Sequence, residues 1–160
     1  MKIKEGDKLP DAKVFIMEQD PKEISIKEII GNKKVILFGL PGAFTSTCSA
    51  KHLPGFIKNY DKFKTKGIDK IYCISVNDPY VMQAWGQANN ANGKIIMLSD
   101  PFLNFTKIIG ADVDKSSKGL GIRSNRYSMI INDLTILNLK EEKETKNCEI
   151  SSAESFLNKV

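Results

Sequence analysis

Short apolar runs alternate with amphipathic stretches along the whole chain. Residues 12–17 (AKVFIM) alternate well enough to predict an early strand. Ser25-Ile26-Lys27-Glu28 has capping-box spacing and predicts a short helix running to Ile30. Lys34–Leu40 (KVILFGL) is nearly continuous in apolar residues, the pattern of a strand covered on both faces of a parallel sheet. Pro41-Gly42 ends it. Phe56, Tyr60 and Phe63 recur at helical spacing within residues 55–66, and Gly67 closes that helix. Residues 69–76 (DKIYCISV) predict a second buried strand. Asp78-Pro79 then opens a helix over Pro79–Ala88, where proline at the first helical position gives up no intrahelical bond.

The second half continues the alternation. Residues 95–98 predict a short strand, and residues 101–109 a helix closed by Gly110. Residues 115–121 are a polar loop. Residues 127–131 and 135–139 predict strands joined as a hairpin through Asn132-Asp133. A last helix begins at Ser151 or Ser152, with Ser151 and Glu154 in a second capping-box pattern. With no repeat, linker or low-complexity tract, the chain reads as one domain over residues 1–160. The β-α-β-α order ending in a hairpin and a helix predicts an α/β fold, a thioredoxin-like sandwich whose central mixed β-sheet is flanked by helices. A flavodoxin-like sheet shares the alternation but calls for a phosphate-cradling loop after its first strand. None is present, nor is a GxxxxGK[ST] sequence.

Composition narrows the function classes. The apolar share of 41% and the charged share of 27% are those of an ordinary globular protein. No apolar run approaches the roughly 18–20 residues of a membrane helix, so no membrane association is expected. Met1 to Pro10 is charged and lacks an apolar signal core. The expected location is cytoplasmic, or an organelle interior after removal of a presequence. The net charge of +5 comes from scattered lysines, with only two arginines, Arg123 and Arg126. Without an Arg/Lys stripe interleaved with aromatics, nucleic acid is not an expected partner. Three cysteines without a CxxC pair, and a single histidine, His52, argue against a disulfide framework, a metal site or any cofactor. A reducing compartment follows.

Thiol chemistry remains. Cys48 follows a buried strand and leads into a helical region, so it falls where unpaired backbone N–H groups and the helix dipole favour a thiolate. Its pKa is then expected below the free value of about 8.5. The plain alternative is a small buried core cysteine on a connecting loop. Thr45, three residues earlier, can place its hydroxyl on the sulfur's side and hydrogen-bond an incoming substrate oxygen.

The segment PGAFTSTCS resembles the PxxxTxxC active-site motif of peroxiredoxins, with Pro41, Thr45 and Cys48 at its three fixed positions. The flanks CSAKHLPGF, CISVNDPYVMQAW and RYSMIIND are similar to the type II (plant-like, peroxiredoxin-5) branch, and the similarity runs through nearly the whole chain. Ser46 stands where that branch usually has proline, outside the fixed positions. The resemblance implies a thiol peroxidase that reduces hydrogen peroxide and alkyl hydroperoxides through a Cys48 sulfenic acid. It implies a catalytic arginine at Arg126, with Arg123 the less suited alternative, and substrate contacts at Phe44 and Gly42. It also implies a homodimer and an external reductant, glutathione with glutaredoxin, or thioredoxin.

Lowering a thiol pKa from about 8.5 to about 6 raises the thiolate fraction at pH 7 only about 30-fold, and the less basic thiolate is a weaker nucleophile. Fast turnover therefore needs transition-state donors, for which Thr45, Arg126 and the Cys48 amide are the candidates. Cys73, inside an apolar strand, and Cys148, in a polar stretch, are the possible resolving thiols, although a one-cysteine cycle is the favoured reading. His52 reads as a residue that shapes the pocket. A Cys–His hydrolase, a thiol–disulfide oxidoreductase and a non-catalytic binding module are the competing classes.

Overall fold

The computed structural model describes residues 1–160. Its centre is a seven-stranded mixed sheet in the order β2-β1-β5-β4-β3-β8-β9. The strands are β1 (Lys13–Met17), β2 (Pro21–Ser25), β3 (Lys34–Leu40), β4 (Lys70–Ser75), β5 (Ile95–Ser99), β8 (Tyr127–Asn132) and β9 (Thr135–Glu141). The three central strands β3, β4 and β5 run parallel, and β8 is antiparallel to β3. A separate two-stranded ribbon pairs β6 (Asp112–Asp114) with β7 (Ile122–Ser124). The helices are α1 (Ile26–Ile30), α2 (Leu53–Lys58), α3 (Tyr60–Thr65), α4 (Pro79–Ala88), α5 (Asn104–Ile108) and α6 (Ala153–Leu157).

Each central strand is covered on both faces, as its continuous apolar run requires. Ile36, Phe38 and Leu40 of β3 face one core together with Phe56, Phe63, Trp85 and Phe156. Val35 and Leu37 face the other, with Tyr72, Phe105 and Tyr127. Phe38 stacks on Phe56 at 4.3 Å between ring centres, which pins α2 to the sheet. Gly39 has no side chain for a steric reason: a Cβ there would sit 2.4 Å from the Tyr127 ring that crosses over it.

Several elements differ from the sequence expectation. The helix expected over residues 55–66 is two helices, broken at Asn59, whose backbone turns to φ −96° and ψ 8° and whose side-chain amide donates to the Gly55 carbonyl and to Glu154. The helix expected over 101–109 starts only at Asn104. Leu103 takes a left-handed φ of +62°, and the Asp100 carboxylate accepts from the amides of Phe105 and Thr106. Ser152, not Ser151, caps α6, accepting from the Ser155 amide. Ser151 is buried and donates instead to Glu142. Strands β2, β6 and β7 have no counterpart in the sequence reading.

Candidate active site

Strand β3 delivers Pro41 to the C-terminal edge of the sheet, and a tight loop turns the chain into a π-helical turn, Cys48–His52, that runs on into α2. Such turns concentrate at functional sites. The loop is tied down on both sides. The Ala43 amide donates to Asn77 Oδ1 at 2.9 Å, and Arg123 Nη1 on β7 donates to the Pro41 carbonyl at 3.2 Å. Gly42 is required by this second contact, since a Cβ would lie 2.6 Å from Arg123 Nη1. Phe44 adopts a left-handed φ of +61°, and its ring is 59% exposed. On the far side of the π turn, Trp85 Nε1 of α4 donates to Ser49 Oγ at 3.0 Å.

Cys48 is completely buried, its back against the Phe38–Phe56 core. Its sulfur accepts from Arg126 Nη2 at 3.1 Å. Arg126 is itself 1% exposed, and every arm of its guanidinium is engaged. Nε donates to the Thr145 carbonyl at 3.0 Å, and Nη1 donates to His52 Nδ1 at 3.0 Å. None of the four ion pairs in the molecule involves Arg126.

His52 is no general base here. A guanidinium only donates, so Nδ1 must accept and the imidazole proton sits on Nε2. Nε2 faces Ser128 Oγ at 3.1 Å and the Ser151 carbonyl at 3.2 Å, while the Ser128 hydroxyl donates to that same carbonyl at 2.5 Å. Burial, and after it the Arg126 charge, hold His52 well below its usual pKa of 6.5. A neutral imidazole accepts from Arg126, whereas a protonated one would repel it. His52 therefore orients Arg126, which in turn touches the sulfur.

Thr45 donates its hydroxyl proton to the Gly42 carbonyl at 2.7 Å. That proton is committed, so the oxygen offers lone pairs, and toward a hydroperoxide Thr45 is an acceptor of the peroxide O–H. This reverses the sequence expectation of Thr45 as a donor to the reacting oxygen. A cleft of about 160 Å³ opens at this point, lined by Pro41, Thr45 and Arg126 at its inner end. Cys48, Phe44 and Gly42 are not among its lining residues, and Arg126 is the residue that joins the cleft to the buried sulfur.

The other two thiols lie in less activating settings. Cys73 is wholly buried on β4, in register with Phe38 of β3. Burial first, and the nearby Cys48 second, push its pKa well above the ordinary value. Cys148 is half-buried beside Ala50, Lys51 and Glu154, and burial first of all pushes it up to about 11. The sequence reading brought Pro41, Thr45, Cys48 and Arg126 together, and they meet here. It missed the supporting partners Ser128, Thr145, Ser151 and Glu142. Glu142 accepts from the Ser151 amide and hydroxyl and the Glu149 amide, holding the segment that carries Thr145.

A family profile described as Redoxin matches residues 4–157. Peroxiredoxin-2D of Arabidopsis thaliana is 44% identical over 156 residues, which covers 95% of this chain and 94% of the relative. The structure of reduced Prx3 from Vibrio vulnificus in complex with hydrogen peroxide is 43% identical, with a TM-score of 0.92 over 98% of this chain and 95% of that one. Peroxiredoxin 5 from Alvinella pompejana is 36% identical, with a TM-score of 0.86 over 98% and 96%. On near-complete coverage by sequence and fold, the chain belongs to the peroxiredoxins, the thiol-dependent peroxidases of the Redoxin family, in their type II branch.

Proposed function

We propose that Cys48 is the peroxidatic sulfur of this enzyme and that Arg126, Thr45 and Pro41 form the rest of its reacting centre. The observation that carries this reading is the unpaired charge of Arg126. A buried guanidinium without a carboxylate is costly in a low-dielectric interior, and the group in contact with it able to carry a negative charge is the Cys48 sulfur. The Cys48 thiolate attacks the terminal oxygen of the hydroperoxide along the O–O axis. An S–O bond forms, the O–O bond breaks, and two electrons pass from sulfur to the peroxide. The departing oxygen leaves as water or an alcohol after taking up a proton, and Cys48 becomes a sulfenic acid. Arg126 stabilises the charge spread over sulfur and both oxygens, and Thr45 accepts the peroxide O–H so that the attacked oxygen is oriented.

The sulfenic acid is resolved by an external thiol, glutathione with glutaredoxin, in a one-cysteine cycle. Thioredoxin is the second candidate reductant. The high pKa values of Cys73 and Cys148 support this, because a protonated thiol is a poor attacking group. The enzyme works in a reducing compartment, the cytoplasm or an organelle interior. No helix is long and apolar enough to cross a membrane. It acts as a homodimer packed near the active-site loop, where Phe44 and Tyr80 stand 59% and 62% exposed on segments joined by the Ala43–Asn77 bond.

The test is intact mass after one equivalent of hydrogen peroxide, with and without the sulfenic-acid trap dimedone. A single dimedone adduct on Cys48 is the expected product. Loss of two hydrogens with no adduct would replace the one-cysteine cycle by an internal disulfide. An unreacted Cys48 would remove it as the nucleophile.

A further inference from the structure

The cleft above Arg126 is cationic and has almost no apolar wall. Of its ten lining residues only Leu120 is hydrophobic and none is a carboxylate, while Lys115, Lys118 and Lys146 ring the mouth. Lys146 pairs with Glu144 just outside at 3.1 Å. Lys118 is exposed and takes part in no ion pair of the molecule. Hydrogen peroxide, small and uncharged, gains nothing from three lysines, and a purely aliphatic hydroperoxide finds one leucine to rest on.

These lysines are held in place by the same bonds that hold the reacting centre. Lys115 and Lys118 flank the turn between β6 and β7, closed by bonds from the Lys118 amide to the Lys115 carbonyl and from the Lys115 amide to the Gly121 carbonyl. Strand β7 is fastened to the catalytic loop through Arg123 and Pro41. Lys115 Nζ donates to the Thr145 hydroxyl, on the residue whose carbonyl accepts from Arg126 Nε. Lys146 follows next in the chain, and its carbonyl accepts from the Thr47 hydroxyl at 3.0 Å. The charge ring is therefore registered to the sulfur through defined contacts.

We propose that Lys118, with Lys115 and Lys146, forms a carboxylate subsite that selects and orients a carboxylate-bearing reactant. Its charged end stays at the mouth while its reacting atom points toward Cys48. The carboxylate is carried either by the hydroperoxide or by the thiol that later reduces the sulfenic acid, since both must reach the same sulfur and Arg126 joins this cleft to it. The inference rests on Cys48 being the reacting atom. A cleft lined by one sign of charge raises the local concentration of an oppositely charged ligand and its on-rate.

The experiment pairs each acid with its neutral ester. Oxidation of Cys48 is followed by stopped-flow with 4-hydroperoxy-4-methylpentanoate and with its methyl ester, and reduction of the sulfenic form with 3-mercaptopropanoate and with its methyl ester. Wild type is compared with Lys118→Gln and with Lys115→Gln/Lys118→Gln. The acid should react about tenfold faster than its ester in at least one arm, the lower end of what a focused field gives. That ratio should fall toward one in the double variant and at high salt. A preference in the first arm assigns the subsite to the peroxide, and in the second to the thiol. Parity in both arms of the wild type, or a preference that survives the double variant, overturns the proposal. Hydrogen peroxide serves as the control: failure to oxidise wild-type Cys48 would strike at the peroxidatic role and not at the subsite.

Discussion

Cys48 and Cys73 share one face of the same sheet and the same complete burial, yet they differ in what surrounds the sulfur. Cys73 is packed into the core of β3 and β4, where burial first and the nearby Cys48 second drive its proton affinity up, and Arg126 offsets this only in part. Around Cys48 the core covers one side, and on the other a guanidinium with no carboxylate partner reaches the sulfur at 3.1 Å. Burial by itself silences a thiol. Burial that also encloses an uncompensated cation arms one, because the anion is then what balances the site. On the proposed assignment of Cys48, the neighbour and not exposure decides which of the two thiols reacts.

The sharpest way to break this comparison is to remove each sulfur in turn. Cys48→Ser should reduce peroxide consumption on the order of 10⁴-fold or more, the scale of losing a nucleophile, while Cys73→Ser should keep activity within about twofold in the same assay. Equal losses would mean that the two thiols act together.

The next largest effect belongs to the cation. Arg126→Lys should lower kcat/KM by about 10²–10³-fold, the cost of losing a preorganised donor, because one ammonium cannot serve the sulfur, His52 and the Thr145 carbonyl at once. Arg123→Met should cost only about tenfold, since Arg123 positions the Pro41 carbonyl and does not touch the sulfur.

His52 supplies the smallest effects and a pH signature. His52→Phe removes the acceptor of Arg126 Nη1 and should cost about 1–3 kcal/mol of stability, read by urea unfolding at neutral pH. The folded-state pKa of His52 is depressed, so the unfolded chain binds the proton more readily. Stability from this group is present above its ordinary pKa of 6.5 and is lost as pH falls below it toward the folded value. The His52→Phe variant should lose this part of the pH dependence. Peroxidase rate of the folded wild type should hold through that window and decline only at its acidic end, where pH reaches the depressed folded value and the charged imidazole pushes Arg126 away.

Much of the frame was legible because burial writes itself into apolar runs. Lys34–Leu40 and the strand around Cys73 lie at the centre of the sheet and read as such. Asp78 and Pro79 start α4 as their local chemistry dictates, with the Asp78 carboxylate accepting from the Val81 amide. Strand β2 escaped because it is an edge element with little burial before Ser25, so its polar residues carry no period. The break at Asn59 and the late start at Asn104 depend on side-chain bonds to particular carbonyls and amides, which an apolar period does not record. At the site, the PxxxTxxC spacing revealed the local residues. The support of Arg126 by His52, Thr145 and Ser151 joins positions 19 to 99 residues apart, so it emerges only once the chain has folded.

On the proposed chemistry, the missing carboxylate beside Arg126 ties the redox state of Cys48 to the charge balance of a buried site. When Cys48 passes from thiolate to sulfenic acid the site loses its negative charge, while the guanidinium keeps its positive one in the same dry place. The reduced enzyme is thus the electrically balanced form, and the oxidised enzyme carries a stored imbalance that water can relieve only by entering. On that chemistry the π turn that carries Cys48 sits in charge balance only while the sulfur is reduced.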